Sequence, residues 1–424
     1  MNPSQRVIQN IQPRSERTTA VCLKKGNAKP LHGGHPWVFA DAIARIDGPK
    51  PAPGDDVRVI DERGTFLGRG FYSPGSAIAV RILSRDDTSI TNALLEQRID
   101  DAIALRSGVL GLGTLKGPGG PDGSTTAYRL INSEGDGLPG LIVDVYGDYL
   151  AVQSGTSGIE RRIETILDVL EDRLHPRGIL DRSDARTRAI EKLELPKTGP
   201  LRGSAPTGVE FARVNGQEHA FDLRSGHGQK TGLYLDQRQN RRRFADFAKG
   251  RDVLDVFCYA GGFTLHAAQG GAKSLTLVDS SEEALGLAKD NLDRNKIEDA
   301  DLYQSEWPEA FKILRDAGRQ FGLIVIDPPK FARSRDTVLH ALSGYRDLNA
   351  QAVRLLAPGG VLFTCSCSGN VSETDFERAV ASGFRATGRR GTVLERRGAA
   401  DDHPVPPGFD QGRYLKCLVL QVGE

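Results

Sequence analysis

After about residue 235 the chain settles into a repeating order of apolar run and amphipathic run, and no other feature constrains the fold as much. Apolar stretches at 252–257, 274–278, 322–326 and 360–364 alternate with helix-like stretches at 263–270, 282–295, 307–317 and 338–356. Strands joined by helices pair in parallel, and the helices cover both faces of the sheet they connect. The expectation is a doubly wound, mostly parallel α/β sheet that binds its ligands outside the carboxyl ends of the strands. Gly322-Leu-Ile-Val-Ile326 and Val361-Leu-Phe363 are apolar on both faces and are expected at the centre. The closing run from Tyr414 to Gln421 alternates, as an antiparallel partner near one side would.

Chemistry-bearing residues sit where these strands end. The first strand runs into Asp255-Val-Phe257-Cys-Tyr259-Ala-Gly261-Gly262-Phe263, a tight glycine turn before a helix. Such a turn lets backbone approach a ligand closely and offers amide N–H groups at the helix start. Asp255 is expected to face that ligand, with helix capping as the alternative. The turn is not Gly-x-Gly-x-x-Gly, which weakens a dinucleotide reading. Asp279, with Ser280 beside it, ends the second strand, where a carboxylate can accept two ribose hydroxyl protons. A nicotinamide enzyme would use the same acid, so Asp279 alone does not choose between cofactors. After the third apolar run, Asp327-Pro328-Pro329-Lys330-Phe331 makes a stiff extended turn. It would hold the Asp327 carboxylate and nearby carbonyls toward a planar amine or ring N–H, and Phe331 would offer a stacking face. The last run opens into Thr364-Cys365-Ser366-Cys367-Ser368-Gly369. Buried cysteines are usually inert packing, the reading preferred for Cys22 and Cys417. Cys367 lies beyond the apolar run among small polar residues, where a thiol can act as a nucleophile. Cys365 would share its face if the strand continued through both.

Upstream the pattern differs. Residues 1–19 are polar and aperiodic, as in a disordered leader. Residues 20–88 hold short β-rich segments between Gly and Pro and are expected to form a small β-barrel. Its Lys24, Lys25 and Lys29, with His32, His35 and Trp37, suit phosphate contact and base stacking, or else a surface loop with one buried Trp. Residues 89–230 mix a helix near 90–106, a Gly/Pro-rich loop at 107–126, a hairpin around Gly147-Asp148, a helix near 159–174 and a turn at Asn215-Gly216. That is an α+β module with no cofactor-binding pattern, and 231–424 completes the chain.

Composition removes several classes. Five scattered cysteines supply neither a disulfide framework nor a metal site. No apolar run approaches the roughly 18 residues of a membrane helix, and the first 20 residues lack a secretory pattern, so a cytoplasmic protein is expected. A net charge of +1 neither demands nor excludes nucleic acid, so any electrostatic footprint must be local.

Taken together, these residues resemble the class I S-adenosylmethionine-dependent methyltransferases. Within them the chain closely resembles the bacterial large-subunit rRNA cytosine-5 methyltransferase family. The match runs from about residue 20 onward through His35-Pro-Trp-Val-Phe39, Arg69-Gly-x-Tyr72-Ser-Pro74, Asp136-Gly-Leu-Pro-Gly140, Asp181-Arg-Ser183, Lys230-Thr-Gly-x-Tyr-Leu-Asp-Gln-Arg238, Tyr259-x-Gly-Gly-Phe263, Asp327-Pro-Pro-Lys-Phe331, Ser366-Cys-Ser368 and Asp402-His-Pro-Val405. The resemblance implies a PUA RNA-binding domain, a middle α+β domain and a Rossmann-like catalytic domain, with S-adenosylmethionine as cofactor, rRNA as substrate and a homodimer as assembly. It implies that Cys367 attacks cytosine C6 while Asp327 holds the amino edge or N3. A free thiol titrates near about 8.5, so the nucleophile needs positive charge or helix amides beside it. Gln237 and Arg238 would lie near the cofactor's methionine end. Where relatives carry an acidic pair for the adenine, this chain reads Gln304-Ser-Glu306-Trp307, which leaves Glu306 or backbone for that contact. A base N-methyltransferase, which needs no cysteine, and a noncatalytic RNA-binding factor are the competing readings.

Overall fold

The computed structural model describes residues 19–115, 117–118, 125–223, 231–332 and 335–423. The expected leader, apart from its last residue, and Lys230 lie outside the described residues.

The C-terminal sheet is built from α1 (Arg238–Ala245), β1 (Asp252–Val256), α2 (Gly262–Gln269), β2 (Ser274–Asp279), α3 (Glu282–Arg294), β3 (Ala300–Gln304), α4 (Trp307–Asp316), β4 (Phe321–Ile326), α5 (Val338–Leu355), β5 (Leu356–Ser366), α6 (Glu373–Thr387), β6 (Gly391–Arg397) and β7 (Lys416–Val422). Its strands lie in the order β3-β2-β1-β4-β5-β7-β6. The first five are parallel, and β7 runs antiparallel to both its neighbours. Alternate residues of the central strands enter two separate cores. Leu254, Val256, Ile324, Ile326 and Leu362 meet Phe311, Tyr345, Leu348 and Phe376 from α4, α5 and α6. Val253, Leu323, Val325, Val361 and Phe363 meet Phe244, Phe263, Leu285 and Leu292 from α1, α2 and α3. Burial on both faces is why these strands read as unbroken apolar runs. Each such side chain contributes on the order of 2 kcal/mol.

Four elements go beyond the sequence reading, α1 among them. β3 and β6 are edge strands with mostly exposed or half-buried side chains, so neither carries an apolar run. α6 follows Ser372, whose hydroxyl caps it by accepting from the Asp375 N–H at 3.0 Å. β7 is the penultimate strand, antiparallel and near one side as expected, with β6 covering its outer edge.

Among the described residues, two larger sheets and two two-stranded ones precede this one. Six short strands between Ala20 and Ser84 form the first, and five between Ala127 and Gly203 form the second, against which the helices Asn92–Ala104 and Ile163–Leu174 bury Leu95, Ile99, Ile166 and Leu170. The Asn215-Gly216 turn joins the hairpin Glu210–Val214 and Gln217–Phe221, which docks on α3 as Asn291 Oδ1 accepts from the Ala220 N–H at 2.7 Å.

The segment between β6 and β7 reaches back to both. Asp402 is fully buried and pairs with Arg238 at 3.1 Å, while its other oxygen accepts from the Arg129 N–H at 2.9 Å. Burial opposes its charge, but Arg238 and His403 hold it well below the usual carboxylate range. Phe409 packs edge-on against Trp37, with ring centroids 4.6 Å apart, and the Trp37 indole N–H donates to Glu134 at 2.7 Å. His35 is buried, 3.1 Å from Gln411 Oε1. The base-stacking expectation for His35 and Trp37 is therefore corrected: their rings join three parts of the chain.

Candidate active site

Strand order reverses beside β1, which has β2 on one side and β4 on the other, and open α/β sheets bind ligands outside the carboxyl ends at such a point. Register puts Val256 level with Val278 and Ile326, and Ile326 level with Thr364. The residues that follow each of them, from Phe257, Asp279, Asp327 and Cys365 onward, share one rim.

On the β1 side the turn is strained. Phe257 has φ 63° and Tyr259 φ 48°, left-handed values that cost non-glycine residues about 1–3 kcal/mol each and gather at functional sites. Hydrogen bonds hold the strain in place. The N–H groups of Phe257 and Cys258 both donate to Val278 O, and the Asn291 amide donates to Ala260 O at 2.9 Å. Asp279 is half-buried. Its Oδ2 accepts from the Tyr259 N–H at 2.9 Å and its Oδ1 from the Ser281 N–H at 3.0 Å. Each carboxylate oxygen can accept a further proton, so two amides aim this group while leaving acceptor capacity. Ser280 and Glu306 are exposed beside it, and the Ser305 N–H donates to Asp279 O.

Asp255 departs from expectation. It is 2% exposed, and its Oδ2 accepts from both the Thr264 N–H, at 3.1 Å, and the Thr264 hydroxyl, at 2.7 Å. Its carboxyl ties β1 to the first turn of α2, so the capping alternative holds. Burial, opposed by the Thr264 bonds, raises it to about 7. Arg238 pairs with Asp402 at 3.1 Å, while its Nε is buried without a hydrogen-bond partner among the described residues.

On the β4 side, Gln237 is buried and its amide donates to Asp327 Oδ2 at 3.0 Å. Pro328 is buried, while Pro329 and Lys330 are exposed. Phe331 is half-buried and lies against Tyr345, with centroids 4.8 Å apart, so packing occupies one of its faces. β5 ends at Ser366, which separates the two thiols. Cys365 is fully buried opposite Cys417, and that thiol together with burial pushes it well above the ordinary range. Cys367, one residue past the strand, is half-buried with its Sγ 3.8 Å from Pro328 O. The Tyr345 hydroxyl accepts from Ser366 Oγ at 2.9 Å and lies 3.1 Å from Ser368 Oγ, a network that fixes the loop on both sides of Cys367.

Two residues the sequence reading passed over complete this rim. Lys416 begins β7 opposite Ser366, and its buried ammonium donates to Ser368 O at 2.7 Å and Val371 O at 2.8 Å. Burial lowers it to about 8, against the opposing pull of Cys367 and Glu373. Tyr234 meets Tyr259 edge to face, with centroids 5.4 Å apart. An isolated Lys at a strand start carries no sequence signal; Tyr234 stood within the Lys230 to Arg238 motif.

Comparison with known proteins agrees with this geometry. A PUA-like domain profile matches residues 21–85, and an S-adenosylmethionine-dependent methyltransferase profile matches residues 207–396. A Streptococcus mutans protein described as an S-adenosylmethionine-dependent methyltransferase superposes with a TM-score of 0.79 over 95% of this chain and 99% of its own, at 21% identity. Fold and rim together define a class I S-adenosylmethionine-dependent methyltransferase. Ribosomal RNA large subunit methyltransferase I of Shewanella frigidimarina is 40% identical over 94% of this chain and 98% of its own length. The protein of the same name from Tolumonas auensis is 39% identical over 95% and 99%. The chain belongs to the ribosomal RNA large subunit methyltransferase I family.

The residues at the rim fit the cofactor. Asp279 presents an acceptor suited to a ribose diol. At Gly261, whose φ is 71°, a side chain would be strained.

Proposed function

We propose that this enzyme methylates C5 of a cytosine in large-subunit rRNA, with Cys367 as the nucleophile. The observation that carries this reading is the position of Cys367 on the rim against the Asp327-Pro-Pro turn, while its neighbour Cys365 is sealed in the core. Cytosine C5 is a weak nucleophile until a group adds at C6. In this scheme the Cys367 thiolate forms the S–C6 bond and the C5=C6 pair becomes available at C5. Asp327, steadied by Gln237, accepts from the cytosine amino edge. Bound S-adenosylmethionine supplies the electrophilic methyl group. Loss of the C5 proton to a base then restores C5=C6, and the S–C6 pair returns to Cys367.

Lys416 supplies the positive charge the thiolate needs, because its ammonium is pinned to the carbonyl of the residue after Cys367. Glu306, Ser280, Phe257, Tyr259 and Phe263 would border the cofactor, and Pro329, Lys330 and the open side of Phe331 the base. The RNA strand would reach the site as a single-stranded or flipped cytosine. Exposed Lys24 and Lys25 on the PUA-like module suit phosphate contacts. A homodimer and a cytoplasmic location complete the reading; among the described residues no helix is long and apolar enough to cross a membrane.

The test is to incubate the enzyme with labelled S-adenosylmethionine and total rRNA, digest the RNA and identify the labelled nucleoside. Label in 5-methylcytidine is the expected result. Label confined to a guanine or adenine nucleoside would overturn the proposal.

A further inference from the structure

The resemblance points to Arg238 as the cation near the cofactor's methionine end, yet Asp402 neutralises that guanidinium within the junction. One turn further along α1, Arg241 is 7% exposed, and its Nε and Nη1 are buried with no hydrogen-bond partner among the described residues. A buried cation without a bonded partner is costly, and its presence calls for an anion. Its neighbours do not provide one. Asp255 is engaged by Thr264, while Asp236 and Asp327 act on Arg241 only through space. His219 and His266 near it are held neutral by burial.

Arg241 is aimed at a definite place. A Cβ at Gly262 would lie 2.7 Å from its Cζ and Nε and 3.0 Å from its Nη2, so glycine is required for the guanidinium to lie against the first residue of α2. Gly261 caps that helix without a side chain and Asp255 takes the Thr264 N–H, which leaves the N–H groups of Gly262 and Phe263 without a capping side chain among the described residues. The strained turn from Phe257 to Gly261 runs between this point and the Asp279 carboxylate. S-adenosylmethionine carries a diol at its ribose and a single carboxylate at its amino-acid end. We propose that Arg241, together with the start of α2, binds the cofactor's carboxylate.

The proposal is independent of which base is methylated, and binding tests it without turnover. Calorimetry on the full chain would compare S-adenosylhomocysteine with its decarboxylated analogue, 5′-deoxy-5′-(3-aminopropylthio)adenosine. Wild type should favour the carboxylate-bearing ligand by about ten- to a hundredfold, the range of a charge-assisted pair. Arg241→Met should bind both ligands with affinities within about threefold of each other, close to the wild-type value for the analogue, and Arg241→Lys should keep part of the preference. The melting temperature of ligand-free Arg241→Met should match or exceed that of wild type, because an unbonded buried charge has been removed. Three results would each overturn the idea: no preference in wild type, an undiminished preference in Arg241→Met, or equal losses for both ligands in Arg241→Met and Arg241→Lys.

Discussion

The two halves of the rim are built by different means. Around β1 and β2 the work falls to backbone: two left-handed residues, a double glycine and a carboxylate aimed by two amides. Around β4, β5 and β7 it falls to side chains: Asp327 steadied by Gln237, Cys367 against a proline turn, and Lys416 behind it. A backbone site suits a ligand of fixed shape used at every turnover. Side chains are needed where charge must move during the reaction.

Substitutions should separate the two halves by the size and kind of their effects. The largest effect belongs to the thiols. Cys367→Ala should lower methyl transfer by at least about a thousandfold with cofactor affinity unchanged, whereas Cys365→Ala should keep turnover within about threefold and lose a few degrees of melting temperature. Equal effects on turnover would erase the distinction between rim and core. Asp279→Ala comes next: KM for S-adenosylmethionine should rise about ten- to a hundredfold while kcat stays within about threefold. A fall in kcat alone would move Asp279 to the other half of the contrast. For Lys416→Met, alkylation of Cys367 by iodoacetamide at pH 7 should slow by roughly tenfold, and its pH profile should move upward. An unchanged profile would reduce Lys416 to a loop clamp.

The smallest effect concerns Asp255, which holds the backbone half together. Its acid is raised from 3.8 to about 7, so between those values the folded chain binds more protons than the unfolded one. Stability then falls as pH rises through that window. Asp255→Asn should flatten this slope, narrowing the difference in melting temperature between pH 5 and pH 8 by a few degrees. A slope unchanged by the substitution would mean that other groups set it.

Much of this was legible from residue order. Parallel pairing followed from the strand and helix rhythm, and the acidic ends of β1, β2 and β4 stood where apolar runs stopped. Edge strands β3 and β6 were not, because a strand covered on one side carries no apolar run. Nor could chain order show that Arg238 is occupied by Asp402, 164 residues later, while Arg241 lacks a bonded partner. Which arginine is neutralised is decided by tertiary contact. Lys416 escaped notice for the same reason: its significance comes from lying across from Ser366.

The place of β7 bears on how the protein matures during synthesis. It follows β6 in the chain, yet it lies between β5 and β6, so one edge of β5 has no partner until residues 416–422 have left the ribosome. Those same residues bring Lys416 to the loop that carries Cys367. A nascent chain that already holds its glycine turn, the Asp279 carboxylate and the Cys367 thiol still lacks Lys416, so the loop after Cys367 gains the ammonium that clamps it only once this strand has docked.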